Sequence, residues 1–267
     1  MIKSRWQPSL LVRATLLLHG AALIALLVTP AHWRWVLAAV LANHVVLTLT
    51  GLWPRSHGLG PNWTKLPAAA AARNEIALTI DDGPDPEVTP RVLELLERYG
   101  VHATFFCIGE IAQRYPELCR DIVRRGHAVE NHSQHHRYYF SLQGIAGLTR
   151  EIQTAQTTLT DITGQAPQFF RAPAGLRNPF LDPVLTRLGL HLASWSVRAF
   201  DTRVGDPATV TRKLVKGLHA GAIILLHDAH AARTPDGEPV ILAVLPAILD
   251  AAVAANLRFV TLRHTLS

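Results

Sequence analysis

The run Glu75-Ile76-Ala77-Leu78-Thr79-Ile80-Asp81-Asp82-Gly83-Pro84 decides how the rest of the chain is read. Residues 75–80 are a short, largely apolar run rich in branched side chains, bounded by Gly-Pro, and this pattern predicts a buried strand. Two adjacent carboxylates follow at once. Side by side they repel, and they suit a core poorly, so they call for a cationic partner. Because neighbouring side chains on a strand diverge, Asp81 and Asp82 can take separate tasks around one centre. A plain turn before Gly-Pro is the competing reading, since Asp and Gly are common turn residues.

Outward from this run, short apolar stretches alternate with amphipathic ones of helical length. Strands are predicted at 75–80, 103–108, 127–130, 168–171, 191–197, 222–226 and 257–260. Helices are predicted between them at 90–99, 116–125, 142–163, 179–188, 207–217 and 239–255. All six helices except 142–163 begin on a proline, which a first turn tolerates because its missing N–H has no partner there. Alternation of this kind marks an α/β fold with parallel strands, and units of roughly 27 residues predict a distorted (β/α)7 barrel. An open doubly wound sheet is the structural alternative.

The residues before this body have a different character. Residues 1–74 hold seven Lys and Arg and no Asp or Glu, which leaves 19 of the 26 basic residues to face all 20 acidic ones from Asn74 onward. The formal charge of +6 therefore belongs to the N-terminal segment and does not indicate a nucleic-acid partner. Two apolar runs, 14–31 and 35–53, are each about 18 residues long, close to a bilayer's hydrocarbon thickness. With Pro30 between them and Trp33, Trp35 and Trp53 near their ends, they predict a transmembrane helical hairpin. His19, Asn43 and His44 fit lipid only if they face a partner helix. A signal peptide ending near Ala31 would leave the second run unexplained, and two amphipathic helices packed on the body are the other rival. Basic residues on both flanks predict an inner-membrane protein whose body faces the cytoplasm. Cys107 and Cys119 are compatible with a reducing compartment without requiring one. The chain thus divides into an anchor, 1–53, a Pro/Gly/Asn- and Ala-rich linker, 54–73, and a folded body, 74–267.

Polar clusters close further predicted strands. His132-Ser133-Gln134-His135-His136 follows the third, and histidines four apart on a helical turn would face one way and suit a single metal ion. His132 with His135 would serve geometrically as well. Arg171-Ala172-Pro173-Ala174-Gly175 closes the fourth strand, the segment from Trp195 to Asp201 the fifth, and Leu225-Leu226-His227-Asp228 the sixth. An isolated strand-end Arg or His is more often inert, but five polar clusters on the C-terminal rim of a barrel are what an active site requires.

These segments resemble the motifs of the polysaccharide deacetylase family, the NodB-homology enzymes of carbohydrate esterase family 4. TIDDGP at 79–84, HSQHH at 132–136, RAPAG at 171–175 and LLH at 225–227 correspond in order, over roughly residues 74–262. The resemblance implies a barrel of the NodB type and metal-dependent removal of an N-acetyl group from an amino sugar. It implies Asp82, His132 and His136 as ligands of one divalent ion, Zn first and Co or Ni as alternatives, with His135 a solvated neighbour. It further implies Asp81 as general base, held ionised and oriented by Arg171, and His227 as general acid. Leu225 and Trp195 would wall the substrate pocket, and the backbone N–H of Ala174 would join the oxyanion site. Two departures stand out. Ala174 replaces an aromatic residue, and in the fourth motif Arg198 and Thr202 stand where Asp and Trp are usual, which leaves Asp201 to orient or tune His227. The anchor adds an expectation of membrane lipid and of a polyprenyl-phosphate-linked sugar as partners. A formamido-sugar deformylase, a peptidoglycan deacetylase and a catalytically inactive, membrane-tethered glycan-binding protein are the rival functions.

Overall fold

The computed structural model describes residues 5–266. In chain order the elements are α1 (Leu10–Val28), α2 (Trp33–Leu52), α3 (Ala68–Ala72), β1 (Glu75–Asp81), α4 (Val88–Arg98), β2 (Thr104–Cys107), α5 (Gly109–Arg114), α6 (Pro116–Arg124) and β3 (Ala128–Asn131). They continue with α7 (Ile145–Thr163), β4 (Phe169–Phe170), α8 (Leu181–Leu188), β5 (His191–Leu192), β6 (Val197–Arg198), α9 (Pro207–Lys216), β7 (Ile223–His227), α10 (Val240–Ala254) and β8 (Arg258–Phe259). All strand pairs are parallel, in the order β5-β4-β3-β2-β1-β7-β6, and β8 pairs with the start of β1. The result is a curled α/β half-barrel. The predicted fifth strand is broken in two, with 193–196 leaving the ladder between β5 and β6, so the sheet has eight strands among the described residues rather than seven.

Strand periodicity sorts the β1 side chains into two environments. Ile76, Leu78 and Ile80 pack outward against the helices, in the same buried cluster as Leu93 and Ile248. Ala77 faces the barrel interior with Phe106, Phe169 and Leu225. Thr79 and Asp81 share that inward parity, so the alternation that builds the core also delivers Asp81 to the interior at the strand's C-terminal end. The two-residue strand β4 is tied to β3 by a carboxylate as well as by the ladder. Glu130 accepts from the backbone N–H groups of Gln168 (2.7 Å) and Phe169 (2.8 Å) and pairs with Arg263 at 2.5 Å.

Residues 54–73 are more than a tether. The Trp63 N–H donates to the Leu192 carbonyl and the Ser194 N–H to that of Trp63, while the Leu66 N–H donates to Gly221. Leu59, Leu66 and Ala70 are buried. The stretch therefore bridges the opening of the half-barrel between β5 and β7.

α1 and the stretch 30–52 are long and apolar enough to cross a membrane, with mean hydropathies of 2.1 and 1.8. Their polar residues meet across the hairpin. Thr15 Oγ1 donates to Asn43 Oδ1 at 3.1 Å, and the His19 and His44 rings make an edge contact at 5.3 Å. The hairpin ends nearest the body are fastened to it. Ser9 Oγ caps α1 and donates to the Gly58 carbonyl, the Arg177 N–H donates to the Gly51 carbonyl, and the Arg177 guanidinium bonds the Ser56 carbonyl.

Glu130→Ala would leave the buried Phe169 N–H and the part-buried Gln168 N–H without their acceptor and remove the carboxylate partner of Arg263. We expect a loss of about 3 kcal/mol, a fall of roughly 10 °C in melting temperature, read by a thermal melt of the full chain in detergent.

Candidate active site

The strand-end loops converge on one pocket of about 160 Å³, lined by Asp81, Asp82, His132, His136, Ala174, Trp195, Leu225 and His227 among others. Its geometry depends on backbone conformations that side chains resist. Among the described residues, seven non-glycine positions have positive φ, and five lie in these loops: Asp82 (79°), Ser133 (66°), His136 (49°), Ala174 (53°) and Phe200 (61°). The other two are asparagines, which tolerate that region; an Ala or Phe there costs on the order of 1 kcal/mol or more and persists only where the surroundings impose it. Asp82 leaves the strand in this way, and its carboxylate turns toward the histidines while Asp81 stays on the inward face.

The two motif histidines are not on a helical turn, as their spacing suggested. They sit in the irregular loop after β3, and the left-handed backbone at Ser133 and His136 brings their rings to 4.7 Å. His132 Nδ1 donates to the Arg171 carbonyl at 2.8 Å, and its Nε2 is aimed at Asp82 Oδ1, 3.3 Å away. His136 Nε2 lies 3.4 Å from the same oxygen. One atom from each of Asp82, His132 and His136 falls within 4.8 Å of the others, a spacing that fits a single ion. An oxygen and two imidazole nitrogens are a borderline donor set suited to Zn, Co or Ni. His135 points away, its Nδ1 donating to Glu151 at 2.8 Å.

Two further pairs face this trio. Arg171, fully buried, reaches Asp81 Oδ1 with Nη1 at 2.6 Å. His227 Nδ1 donates to Asp201 Oδ1 at 3.1 Å, and the same carboxylate accepts the His227 backbone N–H at 2.8 Å. Arg171 and Asp201 thus stand behind the pocket wall, each fixing a residue that faces it.

Burial alone would raise the Asp82 carboxyl, but hydrogen bonds from His132 and His230 outweigh it and hold Asp82 well below the usual carboxylate range. Burial, reinforced by the nearby His132, lowers His136 to about 4. For His227 burial pulls the same way, yet the Asp201 carboxylate wins and the imidazole is raised.

Sequence reasoning missed two residues immediately downstream of His227. His230 Nδ1 donates to Asp82 Oδ2 at 2.9 Å from a largely exposed position. Asp228 is buried, accepts from Thr89 at 2.5 Å, and is raised to about 7 by burial. A Cβ on Gly83 would collide with the Asp228 carboxylate, so that glycine is required by close approach. The available signal was a polar run, His227-Asp228-Ala229-His230, continuing past a strand end.

A curled parallel sheet with a carboxylate and two imidazoles at its C-terminal rim defines the carbohydrate-esterase type of α/β half-barrel. The family model for polysaccharide deacetylase matches residues 68–193, and the chain belongs to that family. It is 37% identical over 166 residues to a chitooligosaccharide deacetylase of Azorhizobium caulinodans, covering 60% of this chain and 78% of that one. It is 36% identical over 172 residues to the peptidoglycan-N-acetylglucosamine deacetylase PgdA of Listeria monocytogenes, covering 64% of this chain but only 36% of that relative's length. Among solved structures, the Bc1960 peptidoglycan N-acetylglucosamine deacetylase superposes with a TM-score of 0.68 at 28% identity, over 76% of this chain and 92% of that one.

Replacing His132 or His136 by Ala should weaken binding of Co²⁺ or Zn²⁺ by at least ~100-fold, measured calorimetrically on the metal-stripped protein. His135→Ala should bind the ion as the wild type does.

Proposed function

We propose that this chain hydrolyses the N-acetyl group of an amino sugar. The observation that carries this reading is the opposition, around one pocket, of the Arg171–Asp81 and Asp201–His227 pairs on either side of the Asp82, His132 and His136 cluster. The similarity to deacetylases of peptidoglycan and chitooligosaccharide supports the substrate class.

Asp82, His132 and His136 would hold a divalent ion, which when bound would supply Lewis acidity to the acyl carbonyl and the attacking water. Asp81 takes a proton from that water, its carboxylate fixed by Arg171. The water oxygen bonds to the acyl carbon. His227 then delivers a proton to the sugar nitrogen as the C–N bond breaks, releasing acetate and a free amine. The backbone N–H of Ala174 serves the developing oxyanion, while Leu225 and Trp195 enclose the acyl methyl. Asp201 keeps His227 in the tautomer with Nε2 toward the pocket and favours its protonated form.

The finer reading places the sugar on a polyprenyl phosphate in the inner membrane, with the body on the cytoplasmic side. It is supported by the two apolar helices, the basic residues flanking them, and their attachment beside the site. A Cβ on Gly175, in the third motif, would lie 2.6 Å from Pro54 Cβ, immediately after α2. Peptidoglycan, favoured by the names of the relatives, is the second reading and requires the body to lie outside the cytoplasm. A formyl in place of the acetyl group uses the same residues. An inactive glycan-binding protein is disfavoured because base, acid and all three donors are present.

Full-length protein with added divalent metal, assayed on polyprenyl-phosphate HexNAc and on soluble chitooligosaccharides, should release acetate from the former; turnover of the soluble glycans alone removes the lipid-linked reading. Asp81→Asn should keep the metal and lose at least ~100-fold in kcat.

Asp201→Asn removes the charge that raises His227. The alkaline limb of kcat should therefore shift to lower pH, because His227 loses its proton earlier; a pH–rate profile checks this.

A further inference from the structure

Beside the active pocket lies a second groove of about 320 Å³, lined by Trp53, Arg55, Trp195, Arg198 and Phe200 with no carboxylate among its walls. Trp195 and Arg198 belong to both cavities and form the partition between them. The groove opens where α2 ends, at Trp53.

Arg198 is the unexplained group here. Its guanidinium carbon lies 5.1 Å from the Trp195 ring centroid and 4.9 Å from that of Phe200, and its Nε is buried without a hydrogen-bond partner. Among the described residues no carboxylate pairs with it. Arg55 is in the same position, reaching only the Ser196 carbonyl at 3.4 Å. Lys213 approaches the Phe200 ring from outside, with Nζ 6.0 Å from the centroid. A partly desolvated cation held in a fixed planar pose, with donors unused, is costly unless an anion completes it. Guanidinium groups on aromatic supports match the geometry of phosphate oxygens, which accept paired N–H donors.

We propose that Arg198 and Arg55 form a phosphate subsite for the carrier of a membrane-linked amino sugar. The sugar occupies the active pocket, its anomeric phosphate sits at the partition, and the prenyl chain leaves past Trp53 along α2. This inference rests on the amino-sugar deacetylase reading and extends it from the acyl group to the other end of the substrate. It also assigns a task to the position where an arginine replaces the usual carboxylate of the fourth motif: a carboxylate there would repel the phosphate.

The test measures binding of farnesyl phosphate to the full-length protein in neutral detergent, by the intrinsic tryptophan fluorescence that includes Trp195. Saturable binding is expected, with Kd raised at least tenfold in Arg198→Gln and several-fold in Arg55→Gln, and partly restored in Arg198→Lys. Arg55 is exposed, so its variant remains informative if Arg198→Gln fails to fold. In kinetics, the preference in kcat/KM for a prenyl-phosphate HexNAc over an uncharged octyl HexNAc glycoside should fall at least tenfold in Arg198→Gln. Unchanged Kd in both variants overturns the subsite. Displacement of farnesyl phosphate by phosphatidylglycerol at equal mole fraction also overturns it, since the groove would then hold bulk headgroups. Turnover of soluble glycans without any farnesyl phosphate binding refutes the subsite and leaves the deacetylase reading intact. Arginine-dependent binding with no deacetylation of either glycoside does the reverse.

Discussion

The site depends on one buried cation. Arg171 has no exposed surface, and taking a guanidinium out of water costs several kcal/mol unless every donor is answered. Here Nη1 donates to Asp81 and to Thr79 Oγ1 (2.8 Å), Nη2 to the Ser194 carbonyl (2.8 Å) and Nε to that of Ala193 (3.3 Å), while the Phe106 ring lies 4.1 Å from the guanidinium carbon. Its own carbonyl accepts from His132. One residue thereby ties β1, β2 and the chain beyond β5 together, orients the candidate base through its side chain, and orients the candidate metal donor His132 through its backbone. Loss of the cation would leave Asp81 buried without a counter-charge, so fold and chemistry share this interaction.

That coupling explains which features were legible in the sequence. The order of elements followed from apolar runs and proline-initiated helices, because short strands buried on both faces and helices with one apolar side leave strong periodic signatures. The five strand-end clusters followed from placing polar residues after those runs. The break between β5 and β6 did not, since 191–197 reads as a continuous strand, and only the tertiary contacts of Ser194 and Trp195 with Trp63 and Arg171 draw its middle out of the ladder. Positive φ at Ser133 and His136 was equally invisible: spacing suggested a helical turn, whereas the loop brings the rings together by a backbone path that propensity disfavours. His230 and Asp228 were missed because each acts through a residue far away in sequence, Asp82 in one case and Thr89 with Gly83 in the other.

Residues 54–73 show why composition misleads about linkers. Pro, Gly and Asn suit a flexible tether, but they equally suit an irregular strap that must satisfy its backbone against neighbours. Asn62 Nδ2 bonds the Pro54 and Ser56 carbonyls, and Trp63 exchanges hydrogen bonds with both sides of the β5 exit. The strap completes the barrel wall and holds the hairpin end against the third motif. The distance from the end of α2 to the pocket is therefore set by packing rather than by chain length.

The pocket also shows how one residue type acquires opposite properties within a few ångströms. His136 loses water to its surroundings beside the His132 ring, and no hydrogen-bonded carboxylate compensates; its imidazole falls to about 4 and at neutral pH offers a free lone pair, as a metal donor must. His227 is more deeply buried, and desolvation alone would push it the same way. Asp201, held behind it by the His227 backbone N–H, reverses the sign and favours the imidazolium that a proton donor needs. Burial is common to both rings, so it cannot decide the difference; the placement of a single carboxylate does. The altered fourth motif keeps that carboxylate, hydrogen-bonded to His227, while Arg198 and Thr202 stand at its neighbouring positions on the pocket wall.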